Sequence, residues 1–165
     1  MTGGSSPVDA RDFDLRGLLR ADDWIVCGQA AAEPLTLTRR LLADDGAALP
    51  STVFLGTTLS ASFDGPVPPG MRFVSYGAMA RTCGLADRGL LEVLPERYAL
   101  LAGLFAEGTL RADVVLLQVA PGGAHRPPSL GLANDYTLAA ARRARVVIAE
   151  VNPAVPWTHG AALPG

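Results

Sequence analysis

The feature that most constrains the fold is an alternation of short apolar segments with segments of helical periodicity. The clearest apolar segment, 113–119 (DVVLLQV), is almost uniformly apolar, as expected for a strand covered on both faces. A second such segment lies at 145–151, and a predicted helix separates the two, with Asn134 or Asp135 as its cap. Strands that alternate with helices predict an α/β fold, a mainly parallel sheet flanked by helices.

The same patterns assign most of the remaining chain. Strands are predicted at 23–28, 52–55, 72–76, 113–119 and 145–151, and helices at 14–20, 34–45, 95–107 and 135–144. Residues 77–94 stay ambiguous, because they mix glycines with helical fragments. We expect residues 1–19 to form a tail with a short helix and residues 20–165 to form a single domain, a size typical of one domain.

Composition excludes several classes of function. A net charge of −2 gives no electrostatic case for binding nucleic acid or an anionic membrane. All 14 basic residues are arginine, so the chain has no lysine for a Schiff base or a P-loop. Its two cysteines and two histidines match no zinc spacing, and we predict no metal site. No apolar run approaches the length of a membrane span, and we expect a cytoplasmic protein.

Three loops leave the carboxyl ends of predicted strands, where open parallel sheets bind ligands: 28–34, 120–134 and 152–160. The first joins a strand to a helix N-terminus, which could hold a phosphate, a carboxylate or an oxyanion, or could simply be a tight turn that needs small side chains. His125 in the second loop is either an acid/base or a solvated histidine. Glu150 is either functional or a structural carboxylate near the edge of the sheet.

Three motifs near the end of the chain resemble those of the acetyl-CoA hydrolase/CoA-transferase family, which includes 4-hydroxybutyrate CoA-transferases. They are Asp135-Tyr136-Thr137, Val151-Asn152-Pro153 and Thr158-His159-Gly160. The Gly28-to-Pro34 turn and the loop from Pro121 to Gly131 also follow family patterns in the same order. The resemblance covers residues 20–160 and is strongest after Asp113. It implies a CoA-transferase-like N-terminal domain, one of two related halves.

The resemblance also implies a chemistry. In the family a glutamate attacks an acyl-CoA thioester and forms a mixed anhydride; the CoA thiolate then returns to give a glutamyl-CoA thioester. A carboxylate acceptor completes transfer, or water completes hydrolysis. That glutamate lies in a His-Thr-Glu motif of the C-terminal half, and this sequence contains no such triplet, so no catalytic residue is assigned. The implied substrates are a coenzyme A thioester and a small carboxylate, with no bound cofactor, and the implied partner is a second CoA-transferase domain or another copy of the chain.

Carried over residue by residue, the resemblance places contacts with substrate or coenzyme A at Gly28, Gln29, Asn152, Pro153, Thr158 and His159. The sequence departs from the family at Ala30 in the first loop, at Gly122, Gly123, Arg126 and Pro127 in the second, and at Trp157 in the third. Trp157 stands where the family has an arginine, and a tryptophan cannot pair with an anion as an arginine does.

Three functions remain open at this level. The chain is half of an enzyme whose catalytic glutamate comes from a second half. Alternatively, it is a degenerate, non-catalytic domain that binds coenzyme A or a protein partner. A third alternative is a self-sufficient thioesterase that uses His125 or His159 with Glu150. The face that meets a second half is expected to be apolar.

Overall fold

The structure, a computed structural model, describes residues 7–9, 12–43, 51–161 and 163. Within these residues, six strands form one sheet in which every pair of neighbours is parallel. They are β1 Trp24–Cys27, β2 Ser51–Phe54, β3 Met71–Ser75, β4 Leu91–Val93, β5 Val114–Val119 and β6 Val146–Val151. The predicted parallel α/β sheet is therefore confirmed.

The spatial order of the strands is β4-β3-β2-β1-β5-β6. The chain builds the sheet outward from β1 to β4 on one side and then returns to add β5 and β6 on the other. Strands β1 and β5 are neighbours, but the connection after β1 runs towards β2 and the connection after β5 runs the opposite way, towards β6. This is a topological switch point, and the crevice beyond the carboxyl ends of the strands at such a point is where doubly wound sheets bind ligands.

Helices cover both faces of the sheet: α1 Leu35–Leu42, α2 Thr82–Asp87, α3 Tyr98–Glu107 and α4 Tyr136–Arg143. Strand β1 illustrates why its residues are all apolar. Ile25 and Cys27 belong to the core cluster that contains residues of α1 and α2, whereas Val26 between them belongs to the cluster that contains residues of α3 and α4. Successive side chains of a strand point to opposite faces, so burial on both faces requires apolar residues at every position.

Most differences from the predicted elements concern their ends. The helix predicted at 34–45 is described from Leu35 to Leu42, and residues 44–50 lie outside the described part of the chain. The helix predicted at 95–107 spans Tyr98–Glu107 and is capped by Gly108, whose φ of +83° suits glycine. A single 3₁₀ turn, Arg16–Leu18, stands where a short helix was predicted. The division at residue 20 stays a prediction.

The ambiguous segment 77–94 contains α2 and β4. β4 has three residues at the edge of the sheet, and only Leu91 of these packs against a core cluster, so its hydrophobic pattern was too weak to predict. Among the described residues, no helix is both long enough and apolar enough to cross a membrane.

The two cysteines provide a chemical test of this packing. Cys27 is buried in β1, as the sequence predicted, whereas Cys83 is exposed. Burial, and secondarily the negative charge of Glu33, raises the pKa of the Cys27 thiol to about 12. Because the thiolate is the reactive form, we expect iodoacetamide at pH 8 to label Cys83 alone in the folded chain and both cysteines in urea. Peptide mass mapping measures this, and early labelling of Cys27 would contradict the packing of β1.

Candidate functional site

A cavity of about 450 Å³ lies at the carboxyl ends of β1, β5 and β6, beside the topological switch point. Segments that follow β1, β2, β5 and β6 surround it, together with a residue near the end of β5. Its lining residues are Ala30, Ala31, Glu33, Leu35, Leu59, Ser60, Gln118, Leu132, Asn152, Ala154, Val155 and Pro156. The site is thus a mostly apolar pocket with four polar side chains, a composition typical of small-molecule sites.

Two of these polar side chains form an amide pair. The Nδ2 group of Asn152 donates to Oε1 of Gln118 over 2.8 Å, and Nε2 of Gln118 donates to the carbonyl oxygen of Ala31 over 3.1 Å. Oδ1 of Asn152 also accepts a hydrogen bond from the backbone N–H of Ala154. Each side-chain amide carries two N–H groups, and these bonds use one of them, which leaves each residue a donor for a ligand.

Glu33 is the most buried of the four polar side chains, with 3% of its surface exposed. Its Oε1 accepts a hydrogen bond from the hydroxyl of Ser60 over 3.0 Å. Its Oε2 is buried and has no hydrogen-bond partner among the described residues. A buried carboxylate oxygen without a partner is costly in a folded protein, so this atom is the most unusual group in the cavity.

Gln29 was predicted to contact substrate, but its side chain binds several groups of its own chain. Oε1 accepts from the Tyr76 hydroxyl over 2.9 Å and from the backbone N–H of Thr57 over 3.0 Å. Nε2 donates to Oδ2 of Asp135 over 2.8 Å and approaches the Tyr98 hydroxyl at 3.5 Å. Gln29 therefore joins the loops after β1 and β2 to the α3–α4 layer, and its buried amide already has partners on both of its polar atoms.

Gly28 has a steric role in the same loop. A Cβ at this position would lie 2.4 Å from the backbone carbonyl oxygen of Ala32, closer than any real contact allows. The neighbouring Ala30 has a φ of +50°, in the left-handed region that favours glycine. This is the position at which the family resemblance expects a second glycine, so the alanine keeps the backbone conformation at some energetic cost.

The N-terminus of α1, predicted as a possible anion site, holds a carboxylate from the chain itself. Oε2 of Glu150 accepts from the backbone N–H groups of Thr36 and Leu37 over 2.8 and 3.2 Å, and Oε1 accepts from the Thr36 hydroxyl. A carboxylate at a helix N-terminus satisfies free N–H groups and interacts favourably with the helix dipole. Glu150 thus fits the structural alternative, and among the described residues neither His125 nor His159 hydrogen-bonds to it.

The third predicted loop is anchored to the second. The Ser129 hydroxyl donates to the carbonyl oxygen of Thr158 and accepts from its backbone N–H, and the Thr158 hydroxyl donates to the carbonyl oxygen of Gly131. Pro153 and His159 are exposed, and His159 lies edge-on to the ring of Trp157. Of the six predicted contact residues, only Asn152 lines the cavity; contact with a ligand stays a prediction for all six.

Two departures from the family pattern contact each other. The Arg126 guanidinium lies 4.7 Å from the centre of the Trp157 ring, and the indole N–H of Trp157 donates to the carbonyl oxygen of Pro127. A guanidinium over an indole face is an attractive cation–π contact. An arginine charge is therefore present beside this loop, but on residue 126 rather than on residue 157.

The sequence reasoning assigned no site role to Glu33, Ser60 or Gln118. Gln118 is the one polar residue inside an otherwise apolar strand, a signal that could have identified it. Glu33 lies within a loop that was singled out, but nothing in the sequence shows that its carboxylate is buried. Among the described residues, no group of three or more His, Cys, Asp or Glu side chains could hold a metal ion.

Comparison with known proteins finds a similar sequence and several similar structures. No protein-family model matches the chain. Over 74 residues, 45% of this chain, it is 40% identical to the 4-hydroxybutyrate coenzyme A transferase of Clostridium kluyveri, of which the match covers 17%.

Solved structures cover more of the chain. A mutant of RipA matches 87% of it with a TM-score of 0.77 and 26% identity, and RipA from Yersinia pestis matches with 0.70 and 24%. The 4-hydroxybutyrate CoA-transferase of Porphyromonas gingivalis matches with a TM-score of 0.54 and 25% identity. The chain spans 33–36% of the length of these proteins.

Proposed function

Because the chain is a CoA-transferase-like domain, we propose that it is the N-terminal half of an acetyl-CoA hydrolase/CoA-transferase. In this proposal it contributes the cleft for the acyl-CoA and the carboxylate acceptor, and a C-terminal half supplies the nucleophilic glutamate. The observation that carries the proposal is the cavity at the switch point, which has Asn152 in its wall. A cytoplasmic location belongs to the same proposal.

The polar groups of the cavity support a binding role for this half. The free N–H groups of Gln118 and Asn152 can donate to a carbonyl oxygen of the substrate. Both side chains are already oriented by hydrogen bonds to the chain, so little side-chain entropy is lost when a ligand binds. Donors that are fixed before the reaction can stabilise charge that develops on an oxygen as a thioester is attacked.

The partner in this proposal covers the carboxyl edge of the sheet. Exposed apolar side chains lie on the segments at and beyond this edge: Leu59, Met79, Val93, Leu132 and Val151. Leu59 and Leu132 also line the cavity. A second CoA-transferase domain that buried these side chains would close the cavity against water, which strengthens polar interactions inside it.

Two observations favour the alternative, a non-catalytic domain that binds coenzyme A or a protein. The N-terminus of α1 is occupied by Glu150, and an arginine expected at residue 157 is replaced by a tryptophan. Both features remove groups that could hold an anion at this end of the sheet. The domain in that case keeps the cleft but not the charge needed for a carboxylate acceptor.

Mass spectrometry separates the two functions. We expect the chain, mixed with a C-terminal half that carries a His-Thr-Glu motif and with acetyl-CoA, to yield a glutamyl-CoA adduct on that partner. Replacement of Asn152 by alanine should lower adduct formation about ten-fold or more, since it removes one oriented donor and the partner of Gln118. Glu92→Gln, an exposed change on β4, is the control.

The alternatives give different results in the same experiment. Binding of acetyl-CoA in calorimetry without an adduct in the presence of a competent partner would support the non-catalytic domain. If the chain neither binds a CoA thioester nor supports an adduct, the enzyme half and the CoA-binding domain are both rejected, and a domain that binds only a protein is left.

A further inference from the structure

We propose that the cavity takes an uncharged ligand group bearing an N–H or O–H donor, and that Glu33 selects this group and rejects a carboxylate. The inference deepens the proposed function by specifying the chemistry that enters this part of the cleft. Its starting point is Glu33, a residue of the cavity wall whose buried Oε2 has no hydrogen-bond partner among the described residues.

The two oxygens of Glu33 differ in their surroundings. Oε1 already accepts from Ser60, whose hydroxyl also contacts that of Ser62 at 2.8 Å. Oε2 is nearly inaccessible to solvent in this arrangement. The terminal torsion of glutamate is broad, so a small rotation of the carboxylate can bring Oε2 to a donor inside the cavity. A ligand donor there would satisfy an atom that is otherwise costly to bury.

The opposite requirement comes from the amide pair. Gln118 and Asn152 each have an N–H that the bonds within the chain do not use, so this side of the cavity needs an acceptor. One group that combines a donor with an acceptor is an amide, and a hydroxyl does the same with a single oxygen. The leucine, alanine, valine and proline side chains of the remaining wall suit a short apolar chain attached to such a group.

Charge argues against a carboxylate in the same place. None of the lining residues is basic, so a ligand carboxylate would meet the Glu33 carboxylate with no cation between them in the wall. Like charges that share a poorly solvated site repel, and one of them must take up a proton to relieve the repulsion. A specificity of this kind arises from an unfavourable contact with the wrong ligand as much as from a favourable contact with the right one.

Butyramide and butyrate test the proposal, because they differ only in the amide and the carboxylate. We expect butyramide to shift the side-chain amide resonances of Gln118 and Asn152 in ¹⁵N-labelled chain and to leave those of Gln29 unchanged. Butyrate should bind about ten-fold more weakly, the effect of roughly one charge-assisted hydrogen bond. In Glu33→Gln the preference should disappear, because the glutamine can donate to butyrate.

Three controls keep the result interpretable. Glu92→Gln makes the same charge change at an exposed position and should retain the preference. The comparison of butyramide with butyrate on the parent chain stands even if Glu33→Gln fails to fold. Pantetheine identifies the source of the amide: competition with butyramide indicates the amides of the coenzyme A arm, and its absence indicates a group on the acyl chain.

Butyrate binding as tightly as butyramide to the parent chain would overturn the inference, as would shifts that map away from the cavity or the lack of any saturable shift. These measurements need no partner and no catalysis. A negative result here therefore does not contradict the proposal that the chain is half of an enzyme. Likewise, a failure to form the glutamyl-CoA adduct does not contradict the proposed selectivity of the cavity.

Discussion

Replacing Gly28 by alanine is expected to lower the free energy of unfolding by about 3 kcal/mol, near the upper end of overpacking costs. The added Cβ would lie 2.4 Å from the backbone carbonyl oxygen of Ala32, and a backbone atom cannot move aside as a flexible side chain can. The loop after β1 must shift as a unit to accommodate it. Since Ala30, Ala31 and Glu33 of this loop line the cavity, the same change should also weaken ligand binding.

Urea denaturation measures the loss, and Gly84→Ala is the matched control. Gly84 lies inside α2, and nothing comes within 4 Å of a Cβ built there. Alanine at an open helical position should stabilise the chain by roughly 0.5–1 kcal/mol. Equal effects of the two substitutions would show that the close approach of Gly28 to Ala32 does not control stability.

Gln29→Leu is expected to destabilise the chain by about 3 kcal/mol, because it leaves several half-buried groups without a partner at once. The substitution removes an acceptor from the Tyr76 hydroxyl and the Thr57 N–H and a donor from Asp135. Leucine has a similar size, so the effect reports the lost hydrogen bonds rather than a large cavity. Because these groups are half-buried, losing their partner incurs part of the cost of desolvating them.

Tyr98→Phe provides the comparison, because it deletes only the 3.5 Å contact between the Tyr98 hydroxyl and Gln29, and 49% of the Tyr98 surface is exposed. We expect this change to stay within about 0.5 kcal/mol, as for most surface substitutions. Thermal or urea unfolding of both variants decides the matter. A Gln29→Leu chain as stable as the parent would leave Gln29 available for the ligand contact that the resemblance implies.

The substitutions at Gly28 and Gln29 test whether these two residues have structural roles rather than the ligand contacts predicted for them. The family resemblance assigned ligand contacts to Gly28 and Gln29, which begin a loop at the carboxyl end of a strand. In the structure each residue has a structural role: Gly28 avoids a steric clash with Ala32, and Gln29 hydrogen-bonds to other parts of the chain. Asn152 differs from them, because it lines the cavity and keeps an unused N–H.

Local patterns in the sequence determined the fold class. The almost uniformly apolar run of β5, the stop at Gly108 and the cap at Asp135 reflect burial on two faces and backbone geometry, which depend on neighbouring residues. The motifs after Asp113 added the resemblance to CoA-transferases. None of this required knowledge of which distant residues meet.

Only the tertiary structure decided the chemistry of the site. Glu150 and Thr36 are 114 residues apart, yet the carboxylate of one caps the helix that contains the other. The strand order places β1 next to β5, and only this order brings the loop that contains Glu33 beside Gln118 and Asn152. The burial of a side chain and its hydrogen-bond partners are set by how the chain packs. In the sequence Glu33 looks like any other loop residue, but in the structure its Oε2 is a buried oxygen without a hydrogen-bond partner among the described residues.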